Sequence, residues 1–153
     1  MTASDLPAPK RPPRRVHDVE PLPPYRYVPD GRHPHPVTSS EGHFRGRAFV
    51  APEPTTPLAW MVNPLWLYGV DLYNHRYYWE AHEAWEGLWH AAKHDRDQAD
   101  LLQGLIQCSA AALKVAMDQP KGLERLAELG TQRLERVAFG KALQYMGLDV
   151  LPF

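Results

Sequence analysis

A histidine and a glutamate four residues apart on a helix bring an imidazole and a carboxylate side by side. His82 and Glu86 have that spacing within Tyr77-Tyr78-Trp79-Glu80-Ala81-His82-Glu83-Ala84-Trp85-Glu86-Gly87-Leu88-Trp89-His90. Such a pair can offer two ligands to one divalent cation, as the His-Glu-x-x-His zinc motif does with two histidines. It can equally be a plain ion pair that fixes helix packing. Glu83 falls about 100° round the helix from His82. It is the candidate catalytic group, as a general base or an outer ligand, and its bland alternative is a solvated flank. Glu80 lies further round and is expected to be exposed.

Two ligands are too few for a cation site, since a structural zinc takes four and a catalytic zinc usually three plus water. The chain offers further candidates in His35 and His43, with His33, Asp71 and His75 behind them. A mixed imidazole and carboxylate set suits zinc, manganese or iron. His90 and His94 are expected to face solvent.

The element that carries these groups must be a helix. Tyr78, His82, Trp85, Glu86 and Trp89 share one face at helical spacing, and three of them are large aromatics. A face that aromatic is expected to be buried and to take His82 and Glu86 inside with it. Gln103 and Gln107 are also four apart, on a stripe with Ala99 and Ala110. Together with Trp89, Trp85, Tyr78 and Asn74 they are candidate lining for a pocket, or amides that hydrogen-bond the pair.

The helices around it are marked by their start signals. Asn63-Pro64 reads as an N-cap followed by proline at the first helical position, opening a helix to about Tyr73. A second helix is predicted over about 77–92. A third, capped by Asp95 or Asp97, is predicted from about Gln98 to Met117. A fourth begins at Asp118-Gln119-Pro120 and keeps Leu123, Leu126, Ala127, Leu134 and Val137 at helical spacing. Gly130 shares that face and permits close packing. A short last turn is expected around 141–146. Connections this short favour antiparallel neighbours, so the fold class is all-α, a small bundle of about four helices.

Composition divides the chain. Fourteen of the 16 prolines lie in residues 1–64, where a residue without a backbone donor blocks helix interiors. Residues 1–24, with the basic run Lys10-Arg11-Pro12-Pro13-Arg14-Arg15, read as an extended or disordered tail. Residues 25–63 hold too many apolar side chains for a linker, among them Tyr25, Tyr27, Val28, Phe44 and Trp60. They are expected to form an irregular arm packed on the helical domain of residues 64–153. Balanced charge, with 17 Lys and Arg against 18 Asp and Glu, gives no footprint for nucleic acid or for a polybasic membrane anchor. The single cysteine, Cys108, builds no disulfide framework, and its apolar context reads as core. No signal segment or membrane-spanning run is visible, so a cytoplasmic location is expected. A homo-oligomer is compatible with the sequence.

These same stretches resemble a known family. Gly69-Val70-Asp71-Leu72-Tyr73-Asn74, then Tyr77 through Glu83 to Glu86 and Trp89, and Leu102-Gln103-Gly104-Leu105-Ile106-Gln107 are similar to the hallmark of the domain of unknown function 309 family. Its core is a His, three residues, a Glu, two residues, then Trp or Tyr, matched here by His82, Glu86 and Trp89. The resemblance implies a small all-helical bacterial or archaeal protein whose motif has been suggested to bind metal, with no activity established for the family. It covers about residues 64–137. The arm's Pro34-His35-Pro36 and Gly42-His43 are more loosely similar to an extension in part of the family. One departure is the turn before Tyr77, where the family often has Gly and this chain has His75-Arg76.

Two readings follow. In one the chain is a metal-dependent hydrolase acting on a small molecule, with His82 and Glu86 on the ion and Glu83 moving a proton. In the other it is a non-enzymatic ligand- or partner-binding helical module, with His82–Glu86 as a structural polar network.

Overall fold

The computed structural model describes residues 7–47, 52–140 and 143–150. After a 3-10 helix at Pro57–Val62 come four α-helices: α1 (Pro64–Asn74), α2 (Tyr78–Ala91), α3 (Arg96–Ala116) and α4 (Pro120–Gly140). Each α-helix packs on its predecessor. The Asn63 side chain accepts from the Trp66 amide, and the Asp95 side chain accepts from the Gln98 amide, so both expected caps operate.

Leu72, Trp66, Trp85, Leu101, Leu102, Leu105 and Val137 form the sealed centre. Two close helix approaches shape it. A side chain on Gly69 would run into the Trp85 indole, so glycine in α1 is what lets that ring lie across the helix. Between α3 and α4, a Cβ on Gly130 would stand 2.9 Å from Cys108 Sγ and 3.1 Å from Gly104 O. The α3–α4 contact is finished outside by Arg133 and Arg136, both bonded to Asp100.

The segment after α4 differs from the expected last turn. Gln144–Tyr145 pairs antiparallel with Leu148–Asp149 through a two-residue turn, in register Gln144↔Asp149 and Tyr145↔Leu148. Met146 and Gly147 both take positive φ, as that kind of hairpin turn requires. The apolar Met146 and Val150 return to the core, which a polar helical turn would not have delivered. Lys141 and Ala142, where the turn was expected to begin, lie outside the described residues.

The proline-rich half lies on the bundle. Residues 7–24 carry no helix or strand, yet the Tyr68 and Tyr77 hydroxyls donate to the carbonyls of Pro21 and Pro23. Tyr27 and Val28 are buried in a second cluster with Trp79 and Leu113. The turn joining α1 to α2 places Arg76 at φ 66°, and the Tyr77 amide reaches back to Leu72 O. A helix C-terminus of this geometry favours glycine, the residue the family resemblance leads one to expect there.

Candidate functional site

Helix α2 offers two different sets of chemistry on different faces. On its accessible side His82, Glu83 and Glu86 bring one ligand atom each to within 4.8 Å of one another. His82 Nε2 lies 3.8 Å from Glu86 Oε2. Two donors each ~2.1 Å from a tetrahedral ion stand ~3.4 Å apart, so small side-chain rotations close this set around one cation. Burial raises the Glu83 carboxyl above the ordinary glutamate value. The His82 imidazole opposes that rise and Glu86 adds to it.

The expected burial of the pair is not what the structure has. The His82 and Glu86 side chains are 27% and 44% exposed. The buried arc of α2 runs through Ala81, Trp85 and Leu88 on the bundle side and continues through Glu80 and Gly87 to Trp79 under the arm. That arc is rotated by about a third of a turn from the aromatic face read in the sequence. Trp85 does go inside, at 1% exposure, whereas Tyr78 and Trp89 stay half-buried at the rim. Ring size did not decide which residues went inside: Trp79 and Trp85 are buried with the small Ala81, and Tyr78 and Trp89 cover the margin.

The other candidate residues separate. Asn74, His90 and His94 are exposed. Gln103 is half-buried, and Gln107 Oε1 is buried with no hydrogen-bond partner among the described residues. Neither amide bonds to His82 or Glu86 among the described residues. Cys108 has its thiol pushed up by burial, which fits packing and not nucleophilic chemistry. Asp71 is fully buried and already engaged: Arg15 Nε donates to it at 3.2 Å, and the amides of Val16 and His17 at 2.8 and 2.9 Å. His75 is turned to its own helix, with Nδ1 2.8 Å from Asp71 O.

The arm histidines do not join His82 and Glu86. His33 stacks on Tyr25 at 4.6 Å, and His35 meets the Trp79 ring edge-on at 5.3 Å while its Nδ1 accepts from the Val37 and Thr38 amides. His43 goes to Glu80, with Nε2 3.4 Å from Oε1, close in distance but not aligned as a hydrogen bond. The turn that delivers it is tight, for a side chain on Gly42 would overlap the carbonyls of His35 and Pro36. Glu80, expected at the surface, is therefore 1% exposed. It accepts from the Tyr27 amide at 3.1 Å. Burial pushes its carboxyl up to about 7, and burial pushes the His43 imidazole down to about 4, with Arg47 adding to the latter. A signal for Glu80 was present: Ala81, Ala84 and Leu88 form a small apolar stripe at helical spacing that borders it.

Fold and site thus define a compact helical domain with an accessible His–Glu–Glu face on its second helix. Residues 66–126 match the family described as Domain of unknown function (DUF309), so this part of the chain is similar to that family. Comparison with curated proteins and with solved structures gave no significant match.

Proposed function

We propose that the His82–Glu83–Glu86 face binds a divalent cation and that the protein is a metal-dependent hydrolase of a small molecule. The observation that carries this reading is the convergence of three ligand atoms within 4.8 Å on a face that solvent reaches. The donor set of one imidazole and two carboxylates fits zinc, manganese or iron. His82 and Glu86 on an open face leave coordination positions for water and substrate, as a catalytic site requires and a closed structural one does not. A bound cation would supply Lewis acidity toward a carbonyl or phosphoryl oxygen. His82 and Glu86 hold and orient. Glu83, exposed beside them on the same face, takes a proton from water at its side-chain oxygen. The competing reading, an internal brace, loses its basis with the exposure of the pair: half-exposed ion pairs contribute ~0–1 kcal/mol.

The test is metal analysis of protein purified without an affinity tag, followed by thermal melts with added Zn²⁺, Mn²⁺ and Fe²⁺. Saturable stabilisation is expected, reaching about 2.7 kcal/mol at a hundredfold excess over Kd. It should vanish in His82→Ala and Glu86→Ala. A metal-free protein whose melting temperature ignores all three ions would refute the site.

A further inference from the structure

The face of α1 and the start of α2 opposite the His82 cluster holds polar groups that helices seldom bury. Asp71 and Glu80 are 0% and 1% exposed, and the Tyr68 and Tyr77 hydroxyls lie beside them at 6% and 6% residue exposure. They are met by residues 15–27, an extended segment laid across the two helices. From its first end, Arg15 Nε and the amides of Val16 and His17 donate to the Asp71 carboxylate. Further along, Pro21 O accepts from Tyr68 and Pro23 O accepts from Tyr77, both at 2.9 Å. At its far end the Tyr27 amide donates to Glu80.

The division of labour is the informative part. The helices contribute side chains. The segment contributes main chain, through two amides, two proline carbonyls and a third amide, and two charged side chains: Arg26, whose Nε donates to His75 O at 2.9 Å and whose guanidinium lies 4.7 Å over the Tyr77 ring, and the Arg15 guanidinium at Asp71. That guanidinium is itself held by the carbonyls of His17 and Glu20, which presets it toward Asp71. Leu22, between the two anchoring prolines, packs on the core. Proline-rich chain suits such a role because it is extended before binding and its carbonyls are free of internal hydrogen bonds. Tyrosine-lined grooves that read proline segments by hydroxyl-to-carbonyl bonds are a recurrent solution to this recognition problem.

We propose that the Tyr68–Asp71–Tyr77–Glu80 face is a groove for an extended peptide, occupied in cis by residues 15–27. In trans it takes a peptide of another protein that carries an arginine six residues ahead of a Pro-x-Pro step, the spacing of Arg15 to Pro21-Leu22-Pro23. The segment in cis sets a threshold that an incoming peptide must exceed, because a tethered ligand competes at high effective concentration.

The experiment uses the full chain and a fluorescent synthetic peptide of residues 13–28, read by anisotropy. The parent binds weakly. Arg15→Ala, which loosens the tethered segment and leaves the groove intact, binds the peptide about tenfold more tightly, the effect of losing one charge-assisted hydrogen bond from the competitor. Adding Tyr68→Phe to Arg15→Ala removes one donor without disturbing the core and weakens the peptide severalfold. A peptide with Pro21 and Pro23 replaced by Gly loses binding as well. Absence of binding to a folded Arg15→Ala protein overturns the proposal, as does affinity indifferent to Tyr68→Phe and to the proline changes. A monomer-to-dimer shift of Arg15→Ala by sedimentation, in place of peptide binding, would give the groove to a second copy and overturn the assignment to another protein's peptide.

Discussion

Two acid–histidine pairs sit on the same helix and live in different worlds. His82 and Glu86 belong to one element, four residues apart, on a face that solvent reaches. His43 and Glu80 come from segments 37 residues apart in sequence, and their side chains are 6% and 0% exposed. The first pair is reached by solvent, its side chains 27% and 44% exposed. The second is closed under Tyr25, Tyr27 and Phe44 and serves to clasp the arm to the bundle. Proximity along a helix makes a pair, but only what lies over it decides whether the pair can do chemistry or must do packing.

Substitution should separate the two most sharply in stability. His43→Ala removes a nearly buried ring and leaves Glu80 with the Tyr27 amide as its hydrogen-bond partner, and it is expected to cost about 3 kcal/mol. A denaturant titration measures it, and a loss below about 1 kcal/mol would make this pair no different from an exposed one.

The pH dependence of stability should separate them next. His43 is held below its ordinary value, so the folded state binds fewer protons than the unfolded one between about 4 and 6.5. Its contribution to stability therefore falls as pH drops through that window. Glu80 is held above its ordinary value of 4.5, up to about 7, so its contribution falls as pH rises through that range. The two slopes oppose each other where they overlap. Glu80→Gln is expected to unmask a stability that rises with pH from about 4 to 6.5, and His43→Gln one that declines from about 4.5 to 7. Melts of the two variants in matched buffers test this, and parallel profiles would contradict the burial of the two groups.

Metal response should divide along the same line. Stabilisation by Zn²⁺, Mn²⁺ or Fe²⁺ is expected to survive His43→Gln and to be lost in Glu86→Ala. The reverse pattern would move the cation to the arm side. The smallest effect belongs to His82→Ala without metal: a half-exposed pair at 3.8 Å should contribute no more than about 1 kcal/mol to stability. A loss of several kcal/mol would mean the pair is buried after all.

Much of the fold was legible in local signals. Asn63-Pro64 and Asp95 mark helix starts through side-chain oxygens that accept orphan amides, and the observed caps are those. Gly130 marks the close contact with α3. The final hairpin was not legible, because a two-residue strand pair carries too little pattern to stand against a helical expectation. In the candidate site, the spacing of His82, Glu83 and Glu86 is a property of one helix and needed nothing else. Their exposure depended on which arc of that helix the bundle and arm would take.

The amino-acid sequence alone determined that the second half is helical and that α2 sets an imidazole and two carboxylates together, since periodicity and i, i+4 geometry act within a single element. The tertiary structure decided everything that depends on a second segment. It turned His82 and Glu86 outward and Glu80 inward, and it gave His43 to Glu80. It also spent the Asp71 carboxylate on Arg15 and two amides of the proline-rich half. Those outcomes rest on contacts between residues some 40 to 60 positions apart, and no local spacing encodes which of several polar groups a distant, extended chain will cover.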